Sequence, residues 1–361
     1  MEMLLPLAVA MIVTSFAVRK QIPMMKKIRS TQQIYSLAPD SHKEKADTPT
    51  MGGIGIIFGV LIACVVTIPF IGFSSNLIVI LAVFICFGAV GFLDDYTKVS
   101  KKSNLGLTAK QKLIYQIMVA FAVALYYVYM SGMGTDILIP FVWKHFDIGY
   151  WMIPYIVFII VAMTNAVNLT DGLDGLAGGI TASVSLFWPV IAILGTILGF
   201  GTISEHSHAD TLLYYTKDAV FFVALAGACL GFLLYNRYPA KIFMGDTGSL
   251  AIGGGIAAAA VFTKMEWLLP VVGFVFVLEA LSVIIQVVSY KLRKGKRVFK
   301  MAPLHHHYEL SGWKEQKVVS VFITVTVILC VLSIGVMLIQ VFVLHDSSPP
   351  QASFAPGNAP E

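Results

Sequence analysis

Charged residues are scarce in this sequence: Asp, Glu, Lys and Arg make up 12% of its 361 residues, against 57% hydrophobic. A soluble domain carries about 25% charged residues, so water is excluded as the main solvent. Cysteine is also sparse. The four, Cys64, Cys86, Cys229 and Cys330, fall inside apolar runs, at a spacing that suits neither a disulfide framework nor a zinc site; they read as small core residues. The first segment lacks both a basic stretch ahead of it and a small-residue cleavage site behind it. Met1–Val18 is apolar, and Arg19 and Lys20 follow. A cleaved secretory leader has the opposite order, so this segment is expected to stay as a first span. The net charge of +5 matters less than where the charges sit, and no nucleic-acid partner is expected.

What is abundant is apolar sequence. One membrane-spanning helix needs ~20 apolar residues. Ten apolar runs read as spans, with ends placed to within a few residues: roughly Met3–Val18, Gly52–Phe70, Leu77–Leu93, Leu113–Met130, Trp151–Val167, Leu176–Gly199, Ala219–Tyr235, Leu250–Phe262, Trp267–Tyr290 and Val318–Leu344. The intermittently apolar segment Ser131–Gly149, with Pro140 and β-prone neighbours, predicts a short hairpin outside the membrane. Residues 1–345 read as one integral membrane domain. The tail 346–361, rich in Pro, Ser, Ala and Gly, is expected to be disordered.

Lysine and arginine set the orientation. With the first residue outside and the loops alternating, all but three of the 25 Lys and Arg fall on the inside. The exceptions are Lys144, Lys217 and Lys264. A wrong number of spans would scramble this segregation, so both termini are expected outside. No internal repeat argues for a transporter built from inverted halves.

The acidic motifs then fall on the same, basic face. Asp94 and Asp95 follow the third run, Asn168, Asp171 and Asp174 the fifth, Asp246 the seventh, and His305, His306 and His307 the ninth. Adjacent carboxylates repel unless a cation or a proton relieves them. Five acidic positions converging on one membrane edge therefore point to Mg²⁺, a hard ion that takes carboxylate and phosphate oxygens. A solvated pair capping a helix would explain one such pair, but not five positions on one face. Asn168, Asp171 and Asp174 are spaced three apart, which puts them on one face if the segment is helical; Asp171 or Asp174 as a helix cap is the plainer reading. Gly245-Asp-Thr-Gly248 reads as a tight loop entering an apolar helix and offering backbone N–H groups to a phosphate. Consecutive histidines cannot easily ligate one ion together, so substrate contacts are expected of them rather than zinc. The basic run Lys291–Lys300 beside them reads mainly as an anchor for anionic lipid headgroups.

These motifs resemble the polyprenyl-phosphate N-acetylhexosamine-1-phosphate transferase superfamily. The most specific pieces are Thr48–Gly53, Asp94-Asp95, Asn165–Leu176, Phe243–Ser249 and Met301–Glu309, where Ala302 stands at a position that often holds Ser or Thr. The histidine motif resembles that of the branch using UDP-N-acetylmuramoyl-pentapeptide, rather than relatives with UDP-N-acetylglucosamine-type donors. The resemblance implies an all-α polytopic membrane protein of about ten transmembrane helices, with a small periplasmic hairpin. It also implies a homodimer in the bacterial inner membrane, with the site on the cytoplasmic face. The acceptor would be undecaprenyl phosphate, the products lipid I and UMP, and the cofactor Mg²⁺. Asp94, Asp95 and Asp246 would be catalytic, with Asp246 and Asp171 at the metal. Lys45, Thr50, Lys98, Lys110, Asn168, Asp171, Asp174, Asn236, Phe243, Gln286, His305, His306 and His307 would line the donor site.

The rival class is an ion-coupled transporter, whose intramembrane acids sit near the midplane. Here the acids gather at one edge, with Glu279 and Gln286 the main exceptions. The partner of Glu279 is left open by the sequence.

Overall fold

The computed structural model describes residues 3–27, 48–101, 106–139, 144–198 and 208–347. Lys45 and the tail beyond residue 347 lie outside them. The long helices are α1 (Leu4–Lys27), α2 (Gly53–Ile71), α3 (Ser75–Lys101), α4 (Ala109–Met130), α5 (Met152–Thr170), α6 (Leu176–Ile197), α7 (His208–Asn236) and α8 (Gly245–Phe262). A short α9 (Leu269–Val272) precedes α10 (Phe274–Leu292), then α11 (Leu304–Glu309) and α12 (Glu315–Ser347). Ten of these are long and apolar enough to cross a membrane. Helices suit that setting because each satisfies its own backbone hydrogen bonds where no water is available.

Helix α8 lies at the centre of the bundle, packed most extensively against α3 and also against α5. Its run of Gly253–Gly255 and Ala257–Ala260 is wholly buried. Small residues let neighbouring backbones approach closely where lipid supplies no hydrophobic drive between helices. The approach is closest at the α3 crossing: a Cβ on Gly91 would collide with the Asp246 carbonyl, and one on Gly254 with the ring of Phe87. Around this centre α7 packs on α1 and α6, and α12 on α6.

Several boundaries differ from the sequence reading. Helix α3 runs on past Leu93 to Lys101, so Asp94 and Asp95 lie on a helix and not in a loop. The pairing of Asp94 with Lys98 one turn later supports that extension. Gly245–Gly248 is the first turn of α8, not a loop ahead of it. The run Trp267–Tyr290 is interrupted at Gly273, although the Gly273 N–H still bonds Leu269 O at 2.8 Å. Cys86 is exposed on α3, unlike the other three cysteines.

At the opposite end from the acidic motifs, β1 (Asp136–Ile139) pairs antiparallel with β2 (Lys144–Asp147), with Asp136 facing Asp147. That like-charge pair is offset by Lys264, 2.6 Å from Asp136, and by His145 at 2.7 Å. Burial alone would raise the Asp136 carboxyl; Lys264 and then His145 outweigh it and hold the group below its usual range.

Helix α10 departs from the bundle along its length. Phe276, Glu279 and Ser282 are buried, whereas Ile284, Ile285, Val287, Val288 and Leu292 are exposed. Glu279 already contacts His305 in α11, so the rest of α10 runs past that level for roughly 20 Å at 1.5 Å per residue.

Gly91→Ala should lower stability by about 1–3 kcal/mol through overpacking against α8. Gly335→Ala in α12, where a Cβ meets nothing within 4 Å, should be neutral or stabilise by up to ~1 kcal/mol. Thermal unfolding of the detergent-solubilised protein measures both.

Candidate active site

Three carboxylates meet at one end of the bundle. Asp94 and Asp95 come from the C-terminal part of α3 and Asp246 from the first turn of α8, with one oxygen from each lying within 4.8 Å of the others. Alternating helices bring these ends together, since an odd-numbered span finishes where the next begins. Two lysines offset the repulsion. Lys98 Nζ is 2.5 Å from Asp94 and 3.0 Å from Asp246. Lys112 Nζ, from the start of α4, is 2.7 Å from Asp246 and 3.4 Å from Asp94. Thr108 caps α4 reciprocally with Gln111, which fixes the turn that carries Lys112.

The aspartates are not equivalent. Asp95 is buried, and its carboxylate accepts the N–H of Asp246 at 3.2 Å, the N–H of Thr247 at 2.9 Å and the Thr247 hydroxyl at 2.7 Å. It caps α8 from another helix, satisfying donors that the first turn leaves open. Those N–H groups are therefore occupied and do not face a phosphate, contrary to the loop expected from the sequence. Asp94 accepts the Leu107 N–H at 2.8 Å. Asp246 keeps the most exposed carboxylate of the three, and Asn168 Nδ2 donates to its Oδ1 at 2.8 Å and to Ser249 Oγ at 2.9 Å.

The segment Asn168–Gly175 is not one helical face. Helix α5 ends at Thr170, and the chain turns through Asp171–Gly175, with Gly175 at φ +80°. The helical register stops at Asp171, whose ψ of 52° is not helical, so the spacing of three is not carried through to Asp174. Asp174 thus faces away from Asn168: its carboxylate accepts the Ala240 N–H at 2.9 Å, and its own N–H donates to Glu315 at 2.8 Å. Neither acid caps α6, whose N-cap is Gly175. Asp171 lies at the edge of the cluster, outside the close-set three. Desolvation first, then the charges of Asp246, Asp95 and Asp174, push its carboxyl up to about 8.

The remaining expected residues surround this centre. Asn236 joins two loops, accepting the Gly175 N–H and donating to Ile242 O. Thr50 is buried beside Gly245, and Phe243, partly exposed, bridges to Pro49 through its backbone N–H at 2.8 Å. Gln286 ties α10 to the backbone of Val298 and Phe299. His306 pairs with Glu309 at 2.9 Å, His307 Nδ1 accepts the Lys300 N–H at 3.1 Å, and His305 is buried against Glu279. Lys110 is exposed at the start of α4, whereas Lys112, Ser249, Thr247 and Glu315 reach functional groups and were not foreseen. Lys110 and Lys112 are two apart on a helix and point to different sides; only the seating of α4 decides between them.

The sequence matches the family described as Glycosyl transferase family 4 over residues 77–264, the stretch that carries all three aspartates, both lysines and Asn168. The chain belongs to that family. A phospho-N-acetylmuramoyl-pentapeptide-transferase of Halalkalibacterium halodurans is 44% identical over 335 residues, covering 92% of this chain and 96% of that protein. Proteins of the same name from Bacillus licheniformis and a Thermoanaerobacter species are 49% and 46% identical, over 87% and 86% of this chain and 91% of each relative. This family member is a multi-pass membrane transferase, and the acidic centre lies within its family-defining stretch.

Lys112→Met should lower turnover by about 10²-fold, the order expected when a donor to developing charge is removed. Asp95→Asn should cost about 1–3 kcal/mol of stability, because one acceptor oxygen is replaced by a donor facing other donors. Steady-state assays and thermal unfolding of the two variants check these outcomes separately.

Proposed function

We propose that the protein transfers phospho-N-acetylmuramoyl-pentapeptide from its UDP-linked donor to undecaprenyl phosphate, giving lipid I and UMP. The observation that carries this reading is the close-set Asp94, Asp95 and Asp246 with Lys98 and Lys112, at one end of a membrane bundle. The names of the relatives favour the muramoyl-pentapeptide donor over a UDP-N-acetylglucosamine-type donor. They also favour a transferase over an ion-coupled transporter. A single catalytic domain over residues 1–345 fits the bundle.

In this reading a phosphate oxygen of the lipid bonds to the sugar-bearing phosphorus of the donor. The bond from that phosphorus to the bridging oxygen breaks, and that oxygen leaves with its electron pair on UMP. Two anions must meet, so positive charge in the cleft is required before the barrier can fall. Lys98 and Lys112 supply it from this chain. Asp246 would hold Mg²⁺ with Asp94 and Asp95 beside it and Asp171 at the edge; crowded carboxylate oxygens suit a hard divalent ion. That ion would neutralise charge on the pyrophosphate. Asn168 fixes the rotamer of Asp246. Phe243, partly exposed, is available to stack on the uracil.

A single displacement is favoured over a covalent aspartyl intermediate. Asp95 is committed to the start of α8, and Asp94 is held by Leu107 and both lysines. A phosphate monoester is largely ionised near neutral pH, so it needs little help from a base. The assignment extends to the cytoplasmic face of the bacterial inner membrane, both termini outside, and a homodimer.

Asp246→Asn should abolish UMP release while the protein still inserts and folds. Asp246→Glu should retain activity but raise the Mg²⁺ concentration needed for half-maximal rate, and near-normal turnover of the Asn variant would remove Asp246 from the metal site. For topology, a cysteine at Ser311 in a Cys86→Ala background should resist an impermeant thiol reagent added outside intact cells.

A further inference from the structure

Asp246 is held through both carboxylate oxygens by groups from other helices. Lys112 Nζ on α4 reaches Oδ2 at 2.7 Å, where Lys98 joins it at 3.0 Å, and Asn168 Nδ2 on α5 reaches Oδ1 at 2.8 Å. One turn below the site, α4 and α5 are joined directly to each other. Asn165 Nδ2 donates to Gln116 Oε1 at 2.8 Å, and Gln116 Nε2 returns to Asn165 Oδ1 at 3.5 Å. Asn165 Nδ2 also donates to Val161 O at 2.8 Å, which holds its amide along α5. Gln116 is wholly buried. It follows Lys112 by four residues, and Asn165 precedes Asn168 by three. Each amide therefore lies on the face of its helix that carries a group holding Asp246. Apolar packing does little to seat this end of α4: from Ala109 to Met118, Gln116 is the only buried residue. The other buried residues of α4, Ala120, Val123, Ala124 and Tyr127, lie further from the site. Towards α3 the start of α4 is tied by the Leu107 N–H on Asp94. Towards α5 the amide pair is the buried tether.

We propose that Gln116 and Asn165 are positioning residues for Lys112. The amide pair fixes how α4 is rotated and how closely it leans on α5, and so brings Lys112 rather than Lys110 to Asp246. The chemistry suits the place. Between helices in lipid, apolar contact supplies no hydrophobic drive that would select one seating over another. An amide that loses its partner there finds no water to replace it. The pair thus admits one arrangement where apolar side chains would admit several. Gln116 and Lys112 are about 6 Å apart along the axis, at 1.5 Å per residue, so a shift of α4 at one is felt at the other. Lys112 must also serve Asp246 and Asp94 together, at 2.7 and 3.4 Å. Its flexible stem does that only from a fixed base. The consequence for turnover rests on the transfer reading given above; the seating of α4 does not.

Gln116→Met keeps the length of the side chain and removes both hydrogen bonds of the pair. Asn165 retains Val161 O, so the bundle should still assemble. The first readout needs no substrate. In the wild type the Lys112 side chain is ion-paired and 18% exposed. The solubilised protein is acylated with a water-soluble amine reagent, and each lysine is followed by mass spectrometry. In Gln116→Met, Lys112 should react about 3- to 10-fold faster, the scale set by one interhelical hydrogen bond in a membrane, while Lys98 is unchanged. Unchanged labelling of Lys112 overturns the proposal, and so does an equal rise at Lys98, because general loosening would free both. The second readout is UMP release. Gln116→Met should lower kcat by about 10-fold, as misplacement of a group at the site does, and move the donor KM by less than about 2-fold. In a Lys112→Met background the same substitution should cost under about 2-fold, since residues acting through one group are non-additive. An equal loss in both backgrounds would show Gln116 acting on the bundle at large and would overturn the proposal. If Gln116→Met does not insert, Gln116→Asn, one methylene too short for the bond to Asn165, is read in the same way. Absence of UMP release by the wild type would strike the transfer reading alone, while the labelling still decides the role of Gln116.

Discussion

Three carboxylates crowded at a membrane edge repel one another, and the surrounding structure is organised to offset that repulsion. Lys98 and Lys112 bridge Asp94 and Asp246. Asp95 is neutralised differently, by the N–H groups at the start of α8, where the helix dipole favours negative charge. The arrangement requires α3 and α8 to approach within backbone contact, which the small residues of both helices permit. A bulky residue at Gly91 would therefore disturb the electrostatics through packing, without any change in charge.

The spans and the convergence of acids were legible because each rests on a one-dimensional signal. Apolar runs report spans, and their alternation brings the acidic motifs to one end. The misreadings arose where local context overrode pattern. Leu93 looked like a helix end because the residues after it are charged, yet Asp94 and Lys98 pair within the helix. Asn168, Asp171 and Asp174 looked like one face, but the helix ends at Thr170 and Asp171 leaves the helical conformation before the register can run. The motif Gly245–Gly248 looked like an anion-binding loop because its donors were counted as free; their acceptor, Asp95, is 151 residues away. Long-range pairings of that kind, like the choice between Lys110 and Lys112, leave no trace in spacing.

Around the site, further polar residues hold loops in place. Asn236 joins the Gly175 turn to the backbone at Ile242, Glu315 braces Asp174, and Gln286 and Glu279 tie α10 to the chain that follows it. Their hydrogen bonds build the frame that sets where the partly exposed Phe243 and Asp246 stand.

The pairing of Asp95 with α8 bears on biogenesis. Its donors, Asp246 N–H and Thr247 N–H, are made 151 and 152 residues later. At translation rates of 5–20 residues per second, that is roughly 8–30 s. During that interval α3 resides in the bilayer with a carboxylate lacking its permanent partners. At mid-bilayer such a group would oppose insertion of the helix that bears it. At the end of a span it stays in contact with interfacial water until α8 arrives. The location of these acids at a helix end thus serves the nascent chain before the bundle is complete.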